Sequence, residues 1–159
     1  MNEEAKIKEM ISNALDQLYA NDKYLIFNQN GRSNNHASER SIVFRFGIYF
    51  DKLAQEYFPG FQVDIEYNRN MGNPKILPSW EKGSFPDLIL HKRGSNSRNI
   101  LVIEMKTWWN PSLVEDKLKV KEYCDPSGEY QYKYGALILI KKFRKNVKLE
   151  FFVSGKEES

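Results

Sequence analysis

The stretch Asn99–Asn110, NILVIEMKTWWN, limits the possible folds more than any other part of the chain. Ile100, Leu101, Val102, Ile103 and Met105 form a nearly continuous apolar run, the pattern of a strand buried on both faces. Such a strand belongs inside a sheet covered by helices. Yet Glu104 and Lys106 sit at its end, where charges are costly to bury unless they are paired. Side chains alternate along a strand, so Glu104 and Lys106 share a face with Val102 and Ile100. A carboxylate and an ammonium inside a sheet demand a reason.

The flanking segments supply the rest of the layers. Ile7, Met10, Ile11, Ala14, Leu15 and Leu18 recur at helical spacing, which predicts an amphipathic helix over residues 3–20. Asn28–Asn35, NQNGRSNN, reads as a polar, turn-rich loop. A second helix is predicted from Ala37 to Tyr57, stopping before Pro59-Gly60. Phe61–Tyr67 alternates like a strand, and residues 68–83 carry the prolines and turn pairs of a loop. Phe85–His91 and Ile100–Lys106 read as two strands joined by a turn at Gly94-Ser95-Asn96. Asn110 and Pro111 are expected to cap and begin a third helix that ends near Cys124. Gly135–Lys141 and Val147–Val153 are the last two strands. The order is helix, helix, three strands, helix, two strands: an α/β fold with a sheet covered on both sides. The 159 residues suit one domain, with residues 36–142 as its core between an N-terminal helix and loop (1–35) and a final strand and tail (143–159).

Composition excludes several classes. No apolar run is long enough to span a membrane. The start, MNEEAKIKEM, is too charged for a secretory signal. The single cysteine, Cys124, allows no internal disulfide and fits a reducing, cytoplasmic compartment. With His36 and His91 as the only histidines, a structural zinc site is not expected. The net charge of +3 permits an anionic partner without requiring one. Basic residues cluster at 91–98, 117–121 and 141–148, as solvated faces often do.

Asp87 heads the strand Leu88-Ile89-Leu90. An antiparallel hairpin brings the start of that strand beside the end of the next, so Asp87 is expected next to Glu104 and Lys106. Two converging carboxylates repel unless a cation lies between them, and oxygen ligands of this kind suit magnesium or manganese. The preceding helix adds a third acid. Its apolar stripe runs Val43, Phe46, Phe50, Leu53 and Tyr57, and one turn back from Val43 is Glu39. Glu39 is either a capping acid at a helix N-terminus or a third carboxylate of the same site.

Pro86-Asp87, followed seventeen residues after Asp87 by Glu104-Met105-Lys106, resembles the PD-(D/E)XK nuclease superfamily. The segments SERSIVFRFGIYF, VDIEYNRN, PDLILHKRG, NILVIEMK and YKYGALILI together resemble small stand-alone bacterial members with no defined substrate. The resemblance implies a restriction-endonuclease-like, three-layer core with a mixed sheet between helices. It also implies metal-dependent hydrolysis of phosphodiester bonds in nucleic acid, with DNA favoured over RNA and neither excluded. Asp87, Glu104 and the Met105 carbonyl would hold Mg2+ or Mn2+. Lys106 would orient the attacking water or stabilise charge on phosphorus, and Glu39 would complete the catalytic set. A homodimer or a partner protein is a further implication. The alternative is a catalytically inactive nucleic-acid-binding or protein-interaction module on the same fold.

Arg40, Arg69, Lys92, Arg93 and Lys121 are candidate phosphate contacts. Asp64 and Glu66 fit either a cleft lining or the wet face of an edge strand. His91 lies roughly 13 Å along the strand from Asp87, too far to share its metal. Trp108 and Trp109 offer base stacking, or packing against the third helix for at least one of them. Lys117, Lys119 and Lys121 alternate along that helix, so not all reach one face. Tyr130, Tyr132 and Tyr134 read as packing residues.

Overall fold

The structure, a computed structural model, describes residues 1–27 and 36–156. The expected loop Asn28–Asn35 lies outside the described residues. Helix α1 spans Glu3–Asn21 and starts where the Asn2 side chain accepts from the Ala5 N–H at 2.8 Å. A four-residue helix, α2, follows over Lys23–Ile26. Helix α3 spans Glu39–Tyr57, two residues shorter at its start than expected, because Ser38 accepts from the Ser41 N–H and forms the cap.

Strand β1 is only Gln62–Ile65, since Glu66 turns to a φ of 52° and leaves the extended region. Strands β2 (Leu88–His91) and β3 (Asn99–Thr107) form the expected antiparallel pair. Helix α4 covers Val114–Cys124. It begins later than expected: Asn110 does not cap it but closes a turn onto the Thr107 carbonyl at 2.9 Å. Strands β4 (Tyr134–Ile140) and β5 (Lys148–Val153) complete the sheet, with a short 3-10 turn at Arg144–Asn146 between them.

The five strands lie in the order β1-β2-β3-β4-β5. β3 and β4 are parallel and joined through α4, while the other neighbours are antiparallel. Alternation then sorts the core. Leu88, Leu90, Leu101, Ile103, Met105 and Ile138 pack under α1 and α3. Ile89, Val102 and Leu137 face the other way, with Val120 and Tyr123 of α4. The protein is thus α/β, a mixed sheet flanked by helices on both faces. Gly135 permits the close approach of α4: a Cβ there would lie 2.4 Å from Val120 and 2.9 Å from the Cys124 sulphur. Among the described residues no helix is long and apolar enough to cross a membrane.

The segment between β1 and β2 is pinned rather than loose. The Asn68 amide donates to the Lys75 and Ser84 carbonyls at 3.1 and 2.6 Å. Lys75 is buried, its ammonium 5.3–5.9 Å from the ring centroids of Tyr67, Tyr123, Tyr130 and Tyr132. Tyr130 and Tyr132 pack as expected, in the segment before β4.

Candidate active site

The last ladder pair between β2 and β3 is Leu88 with Ile103. β3 continues past it through Thr107, paired only with β4 on its other side. Pro86 has no N–H to extend the ladder. One edge of Glu104–Thr107 is therefore open, and Asp87 fills it by side chain: Oδ2 accepts from the Met105 N–H at 2.8 Å. The N–H and C=O of one strand residue point to the same side, so the Met105 carbonyl also faces this edge.

Glu104 is 1% exposed. Its Oε2 accepts from the Lys119 ammonium at 3.1 Å, and Lys119 also donates to the Phe85 carbonyl at 3.0 Å. Glu104 Oε1 is buried and finds no partner among the described residues. Burial first, and then the charge of Asp87, push the Glu104 carboxyl well above its usual range, against the pull of Lys119. Burial likewise raises Asp87 to about 6; the Met105 N–H and Lys119 oppose it, and Glu39 and Asp116 add to it.

Lys106 lies 3.4 Å from Asp116 Oδ2, close enough for an ion pair but without the alignment of a hydrogen bond, and 3.7 Å from Glu39 Oε1. Burial alone would lower the Lys106 pKa, but Asp116, Glu39 and Asp87 outweigh it and raise it. The Lys106 ammonium is therefore a fixed cation in this site. Glu39 is not a capping acid. Its Oε2 accepts from both the N–H and the hydroxyl of Thr107 at 3.1 Å, tying α3 to the end of β3. Glu39 and Asp87 line one pocket of about 280 Å³, with Arg40 and Glu66 among its other walls. Arg40 and Glu66 form an ion pair at 3.0 Å.

The four expected catalytic residues thus meet, and two more join them from α4: Asp116 and Lys119. Asp116 was the one missed entirely. Its signal matches that of Glu39, since it stands one turn ahead of the buried stripe Val120, Tyr123 and Cys124.

The phosphate candidates scatter. Arg40 reaches the site. Lys92 and Arg93 lie beyond the far end of β2 from Asp87; Lys92 sits over the Phe61 ring, and Arg93 holds Asp64 through two nitrogens. Lys121 lines a different pocket, with Cys124 and Phe152. Arg69 is exposed beyond β1. Asp64 is committed to His91 and Arg93 and does not open onto the cleft.

The donors present are hard oxygens: two carboxylates, one with an unpartnered buried atom, and a backbone carbonyl. That set fits a small hard cation, which keeps several waters and takes only one or two carboxylates from protein. Among the described residues, no group of three or more His, Cys, Asp or Glu side chains is placed to hold an ion. The chain matches no protein-family model and none of the curated proteins.

Proposed function

We propose that the protein is a metal-dependent nuclease with a restriction-endonuclease-like fold, hydrolysing phosphodiester bonds with DNA as the preferred substrate. One observation carries the reading: at the open edge of β3, a fully buried Glu104 keeps one carboxylate oxygen unpartnered beside Asp87. A buried carboxylate oxygen without a partner calls for an explanation, and a bound cation supplies one. Magnesium or manganese, when held by Asp87, Glu104 and the Met105 carbonyl, supplies Lewis-acid activation of the phosphate and of water.

The chain's own residues do the rest. The oxygen of water bonds to phosphorus, the bond from phosphorus to one sugar oxygen breaks, and the proton that the water gives up ends on that sugar oxygen. Lys106, locked between Asp116 and Glu39, donates to the phosphate oxygens as their charge grows. Lys119 holds Glu104 Oε2 and so leaves Oε1 as the uncommitted oxygen. Glu39 fixes the end of β3, which sets the position of Lys106. Arg40, on the pocket rim, is placed to meet a neighbouring phosphate.

A second reading has its own support. Lys119 already neutralises Glu104, and Asp116 neutralises Lys106, so the same residues could form a closed ion-pair network in a non-catalytic nucleic-acid-binding or protein-interaction module. Incubating the wild type and Asp87→Ala with single- and double-stranded DNA and RNA, in magnesium or manganese, separates the two. The nuclease reading expects cleavage by the wild type alone, with calorimetric ion binding lost in Asp87→Ala. Binding without cleavage across all substrates would establish the module instead.

A further inference from the structure

A second pocket opens at the same end of the sheet. β3 ends at Thr107 opposite Ile140, the last residue of β4. Trp108-Trp109 and Lys141-Lys142 therefore leave the sheet side by side, two residues beyond Lys106. Trp109 is already occupied, stacked on the His36 ring at 3.8 Å and 11°. Trp108 stands edge-on to both rings and lines a pocket of about 460 Å³ with Lys141, Lys142, Phe143, Asn146 and Lys148.

Four features give this pocket a chemistry. No acid lines it. Among the described residues none of its three ammonium groups has a carboxylate partner, whereas Lys8, Lys117 and Lys133 each lie 2.6 Å from one. Arg144, in the middle of the basic run, is turned away onto Asp16 and Ser12. The Trp108 indole N–H is buried with no acceptor among the described residues. Lysines without counter-ions attract phosphates, and a half-buried indole beside them offers a surface to a base. In a duplex the faces of the bases are stacked away; only an unpaired nucleotide can present base and phosphate together.

We propose that this pocket is a subsite for one unpaired nucleotide of a single strand, stacked on Trp108 with its phosphates on Lys141 and Lys148, while Lys142 is held over the Phe27 ring at 4.0 Å. The proposal rests on the nuclease reading for its substrate class, and it makes the substrate a single-stranded segment or end next to the Lys106 site.

The test measures binding by fluorescence anisotropy without divalent ions, so that no cleavage occurs. The probes are a labelled single-stranded DNA of mixed sequence, the matching duplex, and a polyglutamate peptide. The wild type is expected to prefer the single strand. Trp108→Ala should weaken single-strand binding by about 5–150-fold, the range for losing one base stack, while Trp108→Phe keeps most of it. Lys141→Gln/Lys148→Gln should lower the salt slope by about 1.4, or ~0.7 per lost phosphate contact. Equal binding of single strand and duplex, or of polyglutamate, overturns the proposal. So does a Lys141→Gln/Lys148→Gln protein that binds like the wild type, which keeps the test decisive if Trp108→Ala does not fold. A wild type that cleaves nothing but passes these tests leaves the subsite standing and removes the nuclease reading. A wild type that cleaves with unchanged KM in Trp108→Phe and Trp108→Ala does the reverse.

Discussion

Asp64 on β1 and Glu104 on β3 are both carboxylates withdrawn from water, yet the protein treats them in opposite ways. Burial works to raise the pKa of each. At Asp64 it is overcome: His91 Nε2 lies 2.7 Å away, and Arg93 donates through Nε and Nη2. Both oxygens are engaged, and the carboxyl is held well below the usual range. At Glu104 a single ammonium meets one oxygen, Asp87 repels, and the carboxyl is pushed well above its range. An acid withdrawn from water with both oxygens paired stabilises the fold. One left partly unanswered costs stability and marks where something else must arrive.

The largest expected contrast is in cleavage. Lys106→Ala should slow it by roughly 10²–10³-fold, the scale of losing one transition-state stabiliser. Arg93→Ala, at the satisfied cluster, should leave initial rates within about twofold, since no contact of Arg93 reaches the cleft. Equal losses in the two variants would erase the distinction between the clusters.

Lys75 asks whether a ring cage can replace a counter-ion. Burial lowers its pKa to about 8, with Asp64 opposing. Between about pH 8 and 10.4 the unfolded chain then binds more protons than the folded one, so stability rises with pH across that window. The wild type should gain on the order of 3 kcal/mol relative to Lys75→Met between pH 7 and 10.5, read by urea denaturation of both proteins. A flat difference would show that the tyrosines solvate the ammonium fully.

Asp64→Ala should cost about 2 kcal/mol at pH 7, the scale of losing hydrogen bonds to charged groups. The folded pKa of Asp64 is depressed, so its contribution is present above the unfolded value of about 4 and fades as the pH falls through the lower folded value. Wild type and variant should therefore converge in acid. The smallest effect is expected from Glu104→Gln without divalent ions: stability unchanged or raised by up to about 1 kcal/mol. A loss of about 2 kcal/mol or more would make Glu104 a structural ion-pair partner and favour the non-catalytic reading.

Much of this was legible in the residues. The apolar run of β3 announced a central strand, and two-residue alternation put Glu104 and Lys106 on one face. The antiparallel pairing that ends at Leu88 and Ile103 brought Asp87 beside Glu104, and the 3–4 spacing of Val43, Phe46 and Phe50 turned Glu39 inward. Each follows from repeats a few residues long or from the pairing of two strands joined by a seven-residue connection, both of them short-range in sequence. The start of α4 was misplaced because Asn110-Pro111 carries a helix-start signal that the turn onto Thr107 used instead.

What the tertiary structure alone decided is where separate elements land on one another. That α4 crosses β3 so that Lys119 reaches Glu104 and Asp116 reaches Lys106 depends on the β3–α4–β4 crossover and on the space above Gly135. That Asp64 serves His91 and Arg93 rather than the cleft depends on the β1–β2 register. That Trp109 is taken by His36 while Trp108 faces a lysine pocket depends on where the chain before α3 comes to rest. These are contacts between residues distant in sequence, fixed by packing and sheet register, and no short-range periodicity encodes them.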